Sequence, residues 1–351
     1  MIARRPVFLR NISTPLLLIA AGLLLVLLID FFASGVTTRT FVEMFVQMVL
    51  VVGLYLFVGN SGVISFGHVG FMCIGAYATA WLTVPPMMKQ FTIKGLPEIL
   101  AQAQLPFLPS VLLAGLLAAV VAVPVGMVLM RLSGIAASIA TFAFLAIVNN
   151  VYSNWDAWTA GTSSIVGIPT ETGIWTSWLF ASVAILAAYA YSVSRFGLAL
   201  RSARDEPVAA AASGIDLVFQ RTIAFVASAF LCGVAGALYA HFLGVVNPDA
   251  FYLGVTFTSL AMLILGGMGS LSGAVTGVVF VTLLISLFRA LEKGVAVGEA
   301  SYSLPAGSQE IAIGIAMMIV LIRRPAGLIG NREFKWSRSP AKAEQRPKPA
   351  T

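Results

Sequence analysis

Charged residues are scarce in this chain of 351 residues, of which only 10% are charged and 59% are hydrophobic. None of them occurs between Met44 and Met88, or between Ala250 and Phe288. Each uncharged interval is long enough for two membrane-spanning helices of about 20 residues. The composition excludes an ordinary soluble domain and is typical of a protein that crosses a membrane several times.

Groups that perform catalysis or bind metals are equally rare. The chain has two histidines and two cysteines, contains no His-Glu-x-x-His pattern, and has no Gly-Lys dipeptide from which a P-loop could be built. We therefore predict that it is not an enzyme and holds no metal or cofactor, and that any ATP it depends on is bound by another subunit. Cys73 and Cys232 fall in hydrophobic stretches, where a cysteine usually serves as a small packing residue.

Hydropathy predicts an all-α, polytopic membrane protein of about ten transmembrane helices, forming one domain at 14–330. The predicted spans are Thr14 to Phe32, Phe41 to Val58, Val63 to Val84, Val111 to Met130, Ile135 to Tyr152, Gly173 to Val193, Thr222 to Leu243, Phe251 to Leu265, Ser272 to Phe288 and Ser308 to Ile322. The first segment could instead be a cleaved secretory signal, which would leave nine spans.

The basic residues predict the orientation, because cytoplasmic loops retain Lys and Arg. With both termini in the cytoplasm, 16 of the 21 basic residues lie on the cytoplasmic side. Residues 1–13 are then a cytoplasmic N-terminus, and 331–351 a disordered basic cytoplasmic tail. Topology and attraction to anionic lipid account for the net charge of +7, so no nucleic-acid partner is expected.

One internal loop, 194–221, carries most of the remaining charge. Within it, Pro207 to Ser213 has the composition of a short helix, with Asp205 or Glu206 available as its N-terminal cap and Gly214 as its left-handed terminator. A solvated helix between membrane spans would be a docking site for a soluble partner. The alternative is an amphipathic connector on the membrane surface, for which its alanine-rich face is only weakly apolar.

Two hydrophobic segments are interrupted by glycines, one at Gly59 to Gly75 and one at Gly266 to Gly277. Paired segments of this kind point to a translocation site near the bilayer midplane. An unwound turn at Ser65 to His68 could present backbone N–H groups to a carboxylate. Alternatively the glycines serve tight helix packing, with His68 hydrogen-bonded inside the bundle. Asn149 and Asn150 are interpreted as interhelical or interfacial groups.

Several motifs occur in order along almost the whole chain. They are Gly59-Asn-Ser-Gly-Val-Ile-Ser-Phe-Gly-His68 with Gly75-Ala-Tyr77, Arg131-Leu-Ser-Gly-Ile135 with Thr141-Phe142, Ser194-Arg-Phe-Gly197 with Arg201, Arg204, Glu206, Ala209, Ala210, Gly214 and Ile215, Leu265-Gly-Gly-Met-Gly-Ser270 with Gly273, and Pro325-Ala-Gly327. Together they resemble the permease subunits of branched-chain amino acid ABC importers, specifically the LivM branch. Two departures are Pro207, directly after Glu206, and Thr159-Ala-Gly-Thr162, a reduced form of a glycine-rich external motif.

The resemblance implies a permease subunit that moves branched-chain or related hydrophobic amino acids across the bacterial inner membrane. Its partners would be a homologous second permease, two cytoplasmic ATPases that bind ATP, an external solute-binding protein and the lipid membrane. Alternatives are the same machinery for urea, short amides or another small organic solute, and an ion-coupled secondary carrier or channel.

Two groups of residues are expected to carry the function. The substrate pathway would involve Ser65, Gly67, His68, Gly75, Tyr77, Thr141, Gly266 and Gly267. Coupling to the ATPase would involve Arg204, Asp205, Glu206, Ala209, Ala210 and Gly214.

Overall fold

A computed structural model describes residues 12–32, 35–93, 95–292, 295–297, 300–302, 305, 307–330 and 333. Almost all of the predicted N-terminal segment 1–13 and of the predicted disordered tail 331–351 lies outside these residues, and only Ile12, Ser13 and Glu333 of those two segments are described.

The described chain is built almost entirely from helices. They are α1 (Ser13–Phe32), α2 (Gly35–Ser61), α3 (His68–Thr83), α4 (Pro86–Thr92), α5 (Glu98–Gln102), α6 (Phe107–Leu129), α7 (Gly134–Asn154), α8 (Asp156–Thr159), α9 (Ile174–Val193), α10 (Arg195–Asp205), α11 (Pro207–Ala212), α12 (Leu217–Leu243), α13 (Leu253–Gly266), α14 (Leu271–Glu292) and α15 (Ser308–Arg323). Two short antiparallel pairs join β1 (Ile165–Val166) to β2 (Val245–Val246) and β3 (Val295–Val297) to β4 (Ala300–Tyr302).

Eight of the described helices are long and apolar enough to cross a membrane: α1, α2, α6, α7, α9, α12, α14, and α13 together with the 3₁₀ turn that precedes it. The predictions of an all-α, multi-pass membrane protein and of about ten helices are confirmed. The other two predicted spans correspond to α3 and α15, which have 16 residues each. The third predicted span was wrong at its start, since residues 62–67 are not helical and α3 begins at His68.

Helix α12 is the centre of the bundle and packs against α2, α3 and α6. Its contact with α3 is made by glycines, because a Cβ at Gly75 would overlap the backbone of Gly233 and one at Gly236 would overlap the carbonyl of Met72. Small residues allow this close approach of helix backbones in a membrane. The Ser228 hydroxyl also donates a 2.6 Å hydrogen bond to the Gly53 carbonyl, which ties α12 to α2.

Candidate functional site at the Arg204 end of the bundle

The segment 62–67, called the Gly62 segment below, leaves helical geometry between α2 and α3. Gly62 has a φ of +72°, a conformation that glycine adopts without strain. Helix α7 satisfies the exposed backbone groups: the Ser138 hydroxyl donates to the Ile64 carbonyl at 2.7 Å, and the Phe66 N–H donates to the Thr141 hydroxyl at 3.2 Å. Irregular backbone is tolerated within a membrane protein where the protein itself supplies such partners.

Gly67 completes the contact with α7. A Cβ at Gly67 would lie 2.7 Å from the Thr141 carbonyl oxygen, closer than real Cβ contacts come. The structure thus brings together Ser65, Gly67, His68 and Thr141, four of the eight residues expected in the pathway. Sequence reasoning missed Ser138, although its position three residues before Thr141 puts it on the same face of α7.

His68 is fully buried at the start of α3. Its Nδ1 lies 2.7 Å from the Ser65 hydroxyl, and Phe57 and Phe225 pack against the ring with centroids 5.3 and 5.2 Å away. Its Nε2 has no hydrogen-bond partner among the described residues. This environment favours the interpretation of His68 as a packed, hydrogen-bonded residue of the bundle.

The other four pathway residues lie elsewhere. Gly75 is the contact with α12 described above, and Tyr77 is buried with its ring 4.9 Å from that of Tyr152. Gly266 packs against Gly273 and Gly277 of α14, where a Cβ would overlap the backbone. Within the described residues, Gly75 and Gly266 therefore mediate close contacts between helices.

Gly267 forms the turn between α13 and α14, with a φ of +123°. The chain after α15 lies across this turn: the Leu328 N–H donates to the Leu265 carbonyl at 2.8 Å, and the Ser270 hydroxyl donates to the Gly330 carbonyl at 2.8 Å. Glu333 then accepts hydrogen bonds from the first N–H groups of α14, the shortest being 2.7 Å from Leu271. An acidic side chain is favourable at a helix N-terminus.

Both glycine-interrupted segments meet at one end of the bundle. A Cβ at Gly59, in the last turn of α2, would lie 2.8 Å from the Met268 carbonyl oxygen of the α13–α14 turn. The charged loop 194–221 reaches the same place. We call this region, where α2 and α13 end and α10 and α11 lie, the Arg204 end.

Arg204 joins the charged loop to the end of α2. Its Nη1 donates a 2.6 Å hydrogen bond to the Gly59 carbonyl, and a Cβ at Gly62 would meet its Cγ at 2.7 Å. A cation is favourable at a helix C-terminus, where backbone carbonyls lack helical partners. Arg204 also pairs with Asp205 at 3.0 Å. Two residues expected to contact a partner therefore engage each other, and Arg204 also engages α2.

Helix α11 is shorter than predicted. It ends at Ala212 rather than Ser213, and Gly214 has the predicted left-handed conformation with a φ of +82°. Glu206 occupies the N-cap position of α11, as one of the two predicted alternatives, but its side chain makes no capping hydrogen bond. Asp205 pairs with Arg204 instead. The loop also contains α10, capped by the Ser194 hydroxyl, which accepts from the Gly197 N–H at 3.3 Å.

The two faces of α11 differ in exposure. Ala210 is only 5% exposed and packs within the chain, whereas Val208 is 77% exposed. Glu206 and Ala209 are also exposed. A partner at this end would meet Glu206, Val208 and Ala209 rather than Ala210.

At the opposite end, polar groups fasten the connecting loops. The Lys89 side chain is buried and its Nζ donates hydrogen bonds to the carbonyls of Leu100 and Ala103 at 2.8 and 2.5 Å. Burial lowers the pKa of Lys89 to about 8.

On α12, His241 lies with Nδ1 2.7 Å from the Pro169 carbonyl oxygen and Nε2 3.0 Å from the Thr79 hydroxyl. Asn149 donates to the Pro248 carbonyl at 3.2 Å, as an interhelical group should.

The described residues contain no group of three His, Cys, Asp or Glu side chains that could hold a metal ion.

A profile of the permease component of branched-chain amino acid transport systems matches residues 36–321. The chain belongs to this family. It is accordingly a multi-pass membrane protein and a permease subunit rather than an enzyme.

Three relatives illustrate the range of this permease family. The chain is 26% identical to the high-affinity branched-chain amino acid transport system permease protein LivM of Salmonella typhimurium, over 86% of this chain and 72% of that protein. It is 28% identical to LivH of the same organism, over 51% and 54%. It is 37% identical to the nucleoside ABC transporter permease protein NupC of Lactococcus lactis, over 31% and 33%. No solved structure matches the chain.

Proposed function

We propose that this chain is the LivM-type permease of an ABC importer that moves branched-chain amino acids across the bacterial inner membrane. Its partners are a homologous second permease, two ATPases that bind the ATP, and an external solute-binding protein. Both termini lie in the cytoplasm, as the distribution of basic residues favours. The names of its relatives LivM and LivH support the substrate and the pairing of two permeases.

The observation that carries the proposal is the hydrogen bond from Arg204 to the Gly59 carbonyl. In the proposed mechanism, the exposed face of α11 docks on an ATPase. Movement of the α10–α11 loop then reaches the end of α2 and the Gly62 segment through Arg204. From there it passes to α7 through the hydrogen bonds that Ser138 and Thr141 make to that segment.

We place the solute route on an open face of the chain rather than among the buried glycines. Phe66 lies between Phe142 of α7 and Phe257 of α13, with ring centroids 6.2 and 6.3 Å away. Phe142 and Phe257 are 38% and 55% exposed. A second permease packed opposite this trio would enclose a passage with an apolar, aromatic wall, which suits an aliphatic side chain. The Gly62 segment, which contains Phe66, would link the passage to the Arg204 end.

The docking step is tested with Glu206→Lys combined with Ala209→Phe in the assembled transporter. Both side chains are exposed on this chain, so the substitutions should leave its fold intact while placing a charge and bulk conflict at the ATPase contact. We expect uptake and substrate-stimulated ATP hydrolysis to fall together. Glu206→Gln with Ala209→Ser, at the same positions, is the conservative control. Parental coupling in the first variant would show that the loop is only a connector.

A second candidate is transport of another small organic solute by the same machinery, which the relative NupC supports because its name specifies nucleosides. Competition decides between them: unlabelled leucine, isoleucine and valine should abolish uptake of labelled leucine, while a nucleoside, urea or a short amide should not. The reverse order of competition would select the second candidate.

A further inference from the structure

A long apolar groove of about 680 Å³ runs along the outer seam between α6 and α12. On α6 it is lined by residues spaced four apart, which share one helix face: Ala119, Val123 and Met127. Arg131, just after the end of α6, lines it as well. On α12 it is lined mainly by Phe219, Ile223, Val226, Ala227 and Phe230. Met127 and Phe219 are 52% and 56% exposed, so the groove is open to the surroundings of the bundle.

The groove has the length of one leaflet of a bilayer. From Ala119 to the end of α6 at Leu129 the rise is about 15 Å at ~1.5 Å per residue, and Arg131 follows in the turn. The hydrocarbon core of a bilayer is about 30 Å thick, so one leaflet is about half of that. Both helices are among those long and apolar enough to cross a membrane. A groove of this length would span one leaflet and end at the level of the headgroups.

Positive charge is concentrated at that end. Arg131 lies where the groove ends, and the Arg221 Nη1 donates to the Leu132 carbonyl at 3.4 Å, which holds a second guanidinium beside it. Asp216 also lines this end, but its carboxylate accepts the Phe219 N–H at 3.0 Å. Among the residues that the structure describes, neither arginine forms an ion pair. Two guanidinium groups and one carboxylate leave a net positive charge at the end of the groove.

We propose that this groove is a binding site for an anionic phospholipid, with one acyl chain along the α6–α12 seam and the phosphate at Arg131 and Arg221. Basic pockets between transmembrane helices on the cytoplasmic side bind anionic headgroups, and each arginine near the surface contributes about 1 kcal/mol. The combination of a leaflet-long apolar groove and a positive end matches a phospholipid better than it matches a second protein. The site is also separate from the aromatic face at Phe66 where we place the second permease.

Native mass spectrometry of the assembled transporter tests the site, with phosphatidylglycerol and phosphatidylcholine of identical acyl chains as probes. We expect phosphatidylglycerol to bind more tightly than phosphatidylcholine. Arg131→Gln with Arg221→Gln should weaken phosphatidylglycerol binding by about 30-fold, since two contributions of ~1 kcal/mol act at ~1.4 kcal/mol per tenfold change. Arg195→Gln, at the same end but outside the groove, should bind as the parent does.

Two further arms keep the test decisive. Arg131→Lys with Arg221→Lys retains both charges and should retain tight binding, even if the glutamine variant assembles poorly. Soluble glycerophosphate should not displace the phospholipid, because it lacks the acyl chain that the groove accommodates. Equal binding of the two phospholipids, or parental binding by the glutamine variant, would overturn the proposal. So would efficient disulfide cross-linking from Phe219→Cys to the second permease, which would identify the groove as a protein interface.

Discussion

Replacement of Arg204 by alanine should uncouple ATP hydrolysis from transport. The substitution removes the 2.6 Å hydrogen bond from the guanidinium to the Gly59 carbonyl, which is the connection between α10 and the end of α2. It also removes the side chain that packs against Gly62, where the chain leaves helical geometry. The substitution leaves unchanged the exposed face of α11 where we propose that the ATPase docks, so hydrolysis itself should continue.

The magnitude follows from the environment of the two groups. A hydrogen bond to a charged group contributes about 1.5–3 kcal/mol, and the lower part of this range applies because the Arg204 side chain is 33% exposed and partly screened by solvent. If this contact differs between the two states of the transporter, a coupling free energy of ~1.4 kcal/mol would correspond to a tenfold change. We therefore expect the amount of substrate moved per ATP to fall by about tenfold.

Reconstituted transporter in proteoliposomes allows both quantities to be measured on one sample. Uptake of labelled leucine and release of phosphate should give a reduced ratio for Arg204→Ala and a nearly normal ratio for Asp205→Asn. The second variant removes the ion pair with Arg204 and leaves the bond to Gly59 in place. A parental ratio in Arg204→Ala, or an equal loss in Asp205→Asn, would refute the proposed route of transmission.

The remaining predictions concern packing and protonation. Gly67→Ala should reduce uptake and Gly67→Leu should abolish it, because any Cβ at this position meets the Thr141 carbonyl. The control Gly254→Ala, where a Cβ has open space, should transport normally. Normal uptake by Gly67→Leu would contradict the packing argument. His241→Phe should lower the free energy of unfolding by about 1–3 kcal/mol by leaving the Pro169 carbonyl without its buried partner, and an unchanged denaturation midpoint would oppose this. The pKa of Lys89 is about 8 in the folded protein against 10.5 normally, so between these pH values the unfolded chain binds more protons and the free energy of unfolding should rise with pH. Thermal unfolding of Lys89→Met should lack this rise. Identical pH profiles of the variant and the parent would contradict the role of Lys89.

The membrane helices were predictable because hydropathy is a local property of the chain. The uncharged intervals and the length of an apolar run determine where a span can lie, and the predicted Gly173 to Val193 agrees with α9 to within one residue. The start of α3 was not predictable in this way. The residues 63–67 are apolar enough to belong to a span, and hydrogen bonds from Ser138 and to Thr141, distant in sequence, help them to remain non-helical.

Several residues of the candidate site were selected from the sequence, but their arrangement was not predictable. Motif resemblance selected Arg204 and Gly59, yet their hydrogen bond joins positions 145 residues apart, and no local pattern specifies such a contact. The glycines were expected to lie along a midplane route. The structure shows that Gly59 and Gly266 lie in the last turns of their helices and that Gly75 lies at a helix crossing, because a missing side chain permits close backbone approach wherever two elements meet. The midplane route itself stays a prediction.

Accumulation of labelled leucine by vesicles that contain the assembled transporter tests the central claim most directly. In right-side-out vesicles loaded with ATP and supplied with the external binding protein, uptake should depend on ATP and on this chain. It should persist when an uncoupler dissipates the proton gradient. Uptake that follows an ion gradient and continues without ATP would contradict the assignment as an ABC importer permease and would favour a secondary carrier.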